Sequence, residues 1–287
     1  MKRAIRRRVH LIRETTHLDT AACIFCGSTM ISREHVFPRW THRFMAPRSN
    51  NAARVRINVD HKKRTDVVDD ISLPGPLRDW QIKCVCANYR GSCNNDWMSG
   101  IEKLAKRIMK PMLRGEQVRL SEADQKVIAT WAILKVMVVH HRFVHHTQRK
   151  QMRAKKEPPR RWSVWIAAYG GKTTDGHWLV RPLGLDPSGS RRRPHRRGAV
   201  PNSHATTQII KNLLIHVVKL PMDDFGIQWK WHDHAGAPLR GTLLRIWPAA
   251  GQSLLWPQKA LTAVEAMIVA DAVDVATRRL AVEQGLL

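Results

Sequence analysis

All five cysteines of the 287-residue chain, Cys23, Cys26, Cys84, Cys86 and Cys93, fall in its first third, and that crowding constrains the fold more than any other feature. Two thiolates in a Cys23-x-x-Cys26-Gly27 turn form one half of a tetrahedral zinc site, with Gly27 letting the backbone curl so that N–H groups face the sulfurs. Redox pairs share this spacing, but a second cysteine group roughly 60 residues further on, closing with Cys93, supplies the other half. An odd cysteine count argues against a disulfide framework and for reduced, metal-binding thiolates in the cytoplasm. Cys84 and Cys86 alternate around Val85, so on a strand both point to one face and only one need be a ligand. Cys86 with Cys93 leaves the shorter loop to close, which makes Cys84 a buried spare. Zinc bound in this way ties two distant strands together in a unit too small for a large core.

The charge balance narrows the partners. Forty-nine Lys and Arg stand against 23 Asp and Glu, a formal net charge of +26, and such a chain repels itself unless a polyanion neutralises it. Nucleic acid is the expected partner, DNA foremost. The basic runs lack a neighbouring apolar anchor, so a membrane surface is not expected. The longest apolar candidate, Val127 to Val139, is too short to span a bilayer and contains Lys135, and the basic start, residues 1–20, has no apolar signal core. The chain is therefore expected to be soluble and cytoplasmic.

Helical spacing of Trp97, Ile101, Leu104, Ile108 and Met112 predicts a helix beginning immediately after Cys93-Asn94. Ser121 to Asp124 reads as a capping box with Asp in place of Glu, opening a second helix that is apolar on nearly every face and therefore buried. Between these motifs, residues 41–80 read as a long polar loop with one short strand at Val55 to Val59. Arg149 to Arg161, with Pro158-Pro159, reads as a boundary. Beyond it Trp162 to Tyr169, Trp178 to Pro182, Ile227 to Trp231 and Leu243 to Trp247 read as strands, while His204 to Leu220 fits helix or strand equally. Thr262 to Glu265 is a capping box for a last helix to about Val282, with Val264, Ile268, Ala272 and Val275 along one side. His140, His141, His145 and His146 lack an acid to complete a ligand set and read as a basic helix end facing phosphate, and the tryptophans read as packing.

Glu34-His35 lies between the two cysteine groups and is followed by Pro38. Imidazole is largely neutral near pH 7, so His35 can take a proton from water. Strand neighbours face opposite ways, but a turn at the strand's end brings both groups toward one substrate. Asn94 offers an amide oxygen that suits a hard cation, with Asn95 or Asp96 left to cap the helix.

Cys-x-x-Cys, Glu34-His35-Val36-Phe37-Pro38 and Cys93-Asn94-Asn95 followed by Trp97-Met98-Ser99 and Glu102 resemble the HNH endonuclease family, in its bacterial and phage branch. The resemblance covers somewhat over half the chain. It implies a zinc-stabilised ββα-metal fold, with His35 as general base, Glu34 and Asn94 as ligands of a catalytic Mg²⁺ or Mn²⁺, and Cys23, Cys26, Cys86 and Cys93 as structural zinc ligands. It implies hydrolysis of nucleic-acid phosphodiester bonds in a bacterial nucleoid or a phage-infected cell. Two departures are visible: six residues separate Cys86 from Cys93 where the family usually has two between them, and no Asn near Trp80 matches the residue that positions the base.

The expected architecture is α+β: a basic arm at 1–20, a nuclease module at 21–113, a helical extension at 114–157, and a C-terminal α+β region at 158–287 with a basic loop at 188–198. Arg33, Arg191, Arg192, Arg193, Arg196 and Arg197 are the candidate nucleic-acid contacts. Two rival readings are a zinc-stabilised binding protein that has lost catalysis and an assembly factor whose last helix docks a second copy or another protein.

Overall fold

The computed structural model describes residues 19–45, 53–58, 68–73, 77–87, 89–141, 144–171, 177–183, 203–220, 231–232, 237–249 and 251–270. Helices and strands are mixed, as the α+β expectation requires. Strand β1 (Ile31–His35) pairs antiparallel with β4 (Gln81–Cys86), and the chain then passes through a π-helical turn, Asn94–Met98, into helix α1 (Ser99–Arg114). No side chain caps either the turn or α1, contrary to the capping role expected of Asn95 or Asp96. The turn's own backbone bonds, Asp96 N–H to Ser92 O and Met98 N–H to Cys93 O, carry the entry instead.

The segment between β1 and β4 corrects the single-strand expectation. It holds a hairpin of β2 (Ala53–Asn58) and β3 (Val68–Leu73), whose second strand was hidden by the paired acids Asp69-Asp70.

The capping box at Ser121 forms as expected: Asp124 N–H donates to Ser121 Oγ at 3.1 Å, and Ser121 N–H donates to Asp124 Oδ2 at 3.0 Å. It opens α2 (Glu122–Val139), which is buried along nearly its whole length. One face of α2 packs on α1, and other positions meet β4 and the later strands Trp162–Ala168, Leu213–Lys219 and Leu243–Trp247. A single apolar cluster therefore runs from Cys23 and Phe25 through Trp131 to Ile246 and Trp256, across the boundaries expected near 113 and 157. Burying a side chain as large as Trp131 in such a cluster contributes on the order of 3 kcal/mol.

The stretch expected to be a basic helix end and, from Arg149, a boundary carries a further helix of the expected helical extension. His145 accepts from Thr147 N–H and caps α3 (His146–Lys155), whereas His140 and His141 are buried. Charge alone suggested solvent exposure, but Met152 anchors the helix in the core.

A five-stranded antiparallel sheet follows, in the order β10-β6-β9-β8-β7, formed by β6 (Trp162–Ala168), β7 (His177–Leu183), β8 (Ser203–Ile210), β9 (Leu213–Lys219) and β10 (Leu243–Trp247). The ambiguous stretch is thus the β8–β9 hairpin, turning at Lys211-Asn212 with Lys211 at φ 52°. Two short strands absent from the sequence reading, β5 (Val118–Leu120) and β11 (Leu254–Trp256), pair across more than 130 residues. The expected strand at Ile227 to Trp231 lies outside the described residues except for Trp231, which is not in a strand.

The last capping box also forms, with Thr262 N–H donating to Glu265 Oε2 at 2.8 Å, and residues 263–270 are helical; 271–287 lie outside the described residues. The buried side of this helix differs from expectation. Ile268 is buried as expected, but Ala266 and Val269 also face the core, beside Leu261, and Val264 is 70% exposed. Glu265 explains the rotation, because its carboxylate reaches back to the backbone N–H groups of Arg240 and Gly241 and fixes the helix by that face. No helix among the described residues is long and apolar enough to cross a membrane.

Candidate metal centre and adjoining cleft

The cysteine turn closes as its glycine allows. Gly27 adopts φ 81°, a left-handed conformation that favours glycine, and its N–H bonds Cys23 O at 2.9 Å while Cys23 N–H bonds Ser28 O at 2.7 Å. Cys86, at the end of β4, and Cys93, at the mouth of the π-helical turn, complete the group. The ligand atoms of Cys23, Cys26, Cys86 and Cys93 all lie within 4.8 Å of one another, so the four thiols could hold a structural metal ion such as zinc. The six-residue spacing is no obstacle: the intervening loop folds back so that Cys93 N–H donates to Cys86 Sγ at 3.0 Å.

Within the cluster the thiols differ: Cys23 is pulled down, whereas burial pushes Cys26 up. The Cys93 thiol donates to Cys23 and drives it down to about 4, against the opposing effect of burial, and the same contact pushes Cys93 up. Cys84 is the buried spare. Its thiol faces Val138 O in α2 at 3.9 Å, and burial pushes its pKa well up, so it stays protonated. Phe25 packs edge-on against Trp97 at 5.2 Å and joins the cysteine turn to the start of the helix.

That junction has a geometric consequence. Asn94 directly follows a cluster cysteine, and Glu34 and His35 end the strand paired with the one that carries Cys86. The three side chains expected to act together line one cleft of about 250 Å³, with Pro38, Arg39, Asn95, Ser99 and Glu102. Both strand neighbours reach it because β1 stops at His35, where Val36 N–H bonds Trp80 O and the chain bends into a 3₁₀ turn at Arg39–Phe44.

Within the cleft, His35 Nε2 lies 2.9 Å from the Gln81 side-chain amide, its cross-strand partner. Gln81 occupies the place beside Trp80 where the sequence shows no Asn, put opposite His35 by the strand register. Partial burial holds His35 below its usual value, reinforced by Arg39 and opposed by Glu34, so its imidazole is neutral at pH 7.

Glu34 is not alone. Lys135, in the middle of apolar α2 and only 1% exposed, places its ammonium against the Glu34 carboxylate, 3.3 Å from Glu102 Oε2 and 3.2 Å from His35 O. Burial pushes the lysine's pKa down, but Glu34 and Glu102 outweigh it and hold the lysine charged. Neither Lys135 nor Glu102 was a site residue in the sequence reading. A lone lysine inside an apolar helix is itself the signal that carboxylates must be waiting for it.

Of the remaining candidates, Arg33 is exposed and 3.8 Å from Asp19, outside the cleft, while Arg191, Arg192, Arg193, Arg196 and Arg197 lie outside the described residues. Comparisons with protein-family models, with curated proteins and with solved structures return no match to this chain.

Proposed function

We propose that the chain is a metal-dependent endonuclease of the HNH type, with a zinc-stabilised ββα-metal module that hydrolyses phosphodiester bonds in nucleic acid, DNA foremost. The observation that carries the reading is the convergence of Glu34, His35 and Asn94 on one cleft beside a four-cysteine cluster. The donor set fits the two metals differently. Four thiolates suit zinc, and the oxygens of Glu34 and Asn94 suit Mg²⁺ or Mn²⁺. A divalent ion at Glu34 and Asn94 would supply positive charge to the scissile phosphate and to the departing 3′ oxygen.

The protein's own groups account for the proton. A general base must be neutral and turned toward the water it deprotonates. His35 is neutral and lines the cleft, and the Gln81 side-chain N–H donates to its Nε2 at 2.9 Å and steadies the ring there. Arg39 lines the same cleft and can hold a phosphate oxygen while the water attacks. The net charge of +26 would gather the polyanion and make binding fall as salt rises.

One observation favours the rival reading, a zinc-stabilised module that binds nucleic acid without cutting it: the Glu34 carboxylate already faces a cation, Lys135. Supercoiled plasmid incubated with the zinc-loaded protein and Mg²⁺ or Mn²⁺ separates the two. Nicking by the wild type that disappears in His35→Ala, with plasmid binding retained, supports the endonuclease; binding without cleavage by either protein, or equal cleavage by both, overturns it.

A further inference from the structure

The ββα unit supplies every residue that the proposed reaction needs, yet three of the cleft's groups are held from outside it. Lys135 enters from α2, 101 residues beyond Glu34 in sequence and 33 beyond Glu102. It does not line the cleft, but Glu34, His35 and Glu102 all do. Its three N–H donors match three partners: Glu34 Oε1, Glu102 Oε2 and the main-chain carbonyl of His35. One oxygen of each carboxylate is thereby tied, and the backbone that carries the base is tied by the same atom.

We propose that Lys135 is a positioning residue of this site: a built-in counter-cation that fixes Glu34, Glu102 and the His35 backbone and lowers the negative charge that the cleft presents to a divalent ion. The inference rests on reading the cleft as a metal-dependent nuclease centre. Two carboxylates with one ammonium carry a formal charge of −1, whereas the carboxylates alone would carry −2. Removing the lysine should therefore strengthen cation binding while loosening the groups that must be aligned for attack. A side chain that merely filled the core would have neither effect in combination.

Mn²⁺ binding to the full-length, zinc-loaded protein, followed by the loss of the free-ion electron paramagnetic resonance signal, gives a readout independent of cleavage. Lys135→Met keeps an unbranched side chain, one atom shorter, and removes its charge. It is expected to bind Mn²⁺ roughly tenfold more tightly, the effect of removing one unit charge a few ångströms from a divalent ion in a wet cleft. Plasmid nicking at saturating Mn²⁺ is expected to fall by about tenfold or more in the same variant, because misplaced groups lose their alignment. Glu102→Gln changes the site in the opposite sense and should weaken Mn²⁺ binding by roughly tenfold. Unchanged or weaker Mn²⁺ binding by a Lys135→Met protein that retains its zinc would overturn the inference. If that variant fails to fold, Glu102→Gln decides, and unchanged Mn²⁺ affinity there overturns it equally. A wild-type protein that binds Mn²⁺ but cuts no nucleic acid sinks the nuclease reading alone, since the shifts in affinity would still report on Lys135.

Discussion

His140, His204 and His216 are buried as neutral rings, and acid should therefore destabilise the fold by an amount that can be worked out residue by residue. Burial pushes His140 and His216 down to about 3, and burial reinforced by His140 and Lys219 pushes His204 well below its usual value. In the unfolded chain each ring recovers a value of roughly 6.5. Below that value the unfolded state binds more protons than the folded one, so stability is complete above about pH 6.5 and is lost as the pH falls. At about pH 5 the loss is ~2 kcal/mol per histidine, and this depends almost entirely on the unfolded value once the folded one lies well below 5. The two rings at about 3, His140 and His216, give ~4 kcal/mol, a large fraction of the 5–15 kcal/mol typical of a folded domain, and His204 adds to it in the same sense. His204 is the cleanest to remove: neither ring nitrogen has a hydrogen-bond partner among the described residues, and the ring packs against Trp162 at 5.3 Å. Urea unfolding followed by tryptophan fluorescence, at about pH 7.5 and about pH 5, should show that His204→Leu loses less stability than the wild type between the two conditions. Acid release of metal from the cysteines is common to both proteins and cancels in the comparison. The same drop in both would refute the premise that His204 is held neutral by burial.

The cysteine roles separate by substitution. Cys86→Ser or Cys93→Ser should abolish zinc retention measured by elemental analysis, whereas Cys84→Ala should keep one zinc per chain and cost ~1–2 kcal/mol of stability from lost packing against α2. Ser121→Ala removes the hydroxyl half of the capping box, leaving the backbone N–H of residue 121 on Asp124, and should cost ~1 kcal/mol in a urea titration, with no change in zinc content.

What the sequence disclosed and what it hid divide along a physical line. Short-range chemistry was legible: the curl at Gly27, the two capping boxes, the burial of α2 and the assignment of Cys84 as the spare each depend on residues close in the chain. Pairings made at long range were not. The β5–β11 ladder joins three-residue strands whose only stabilisation is each other and the core, and no local periodicity marks them. In the β8–β9 hairpin buried Thr206 and Gln208 break the alternation, and the turn uses Lys211 at positive φ instead of glycine. Lys135 was visible as a charge that disqualifies a membrane span, but its partners lie on β1 and α1 and only folding brings them together. The same holds for Gln81, whose role follows from register and not from residue type. The orientation of the last helix failed for a related reason: Glu265 serves as a capping acid and also as an acceptor for a distant loop, and the second duty sets the helix's buried face.

The claim that the cleft performs hydrolysis with His35 as the base is tested most directly by cutting a DNA duplex in ¹⁸O-labelled water and weighing the products. Attack by water with departure of the 3′ oxygen requires that wild-type products carry one ¹⁸O on each new 5′ phosphate opposite an unlabelled 3′ hydroxyl, and that His35→Ala yield no such products while still binding the duplex. Intact duplex after binding by the wild-type protein, or labelled products from His35→Ala at the wild-type rate, would contradict it.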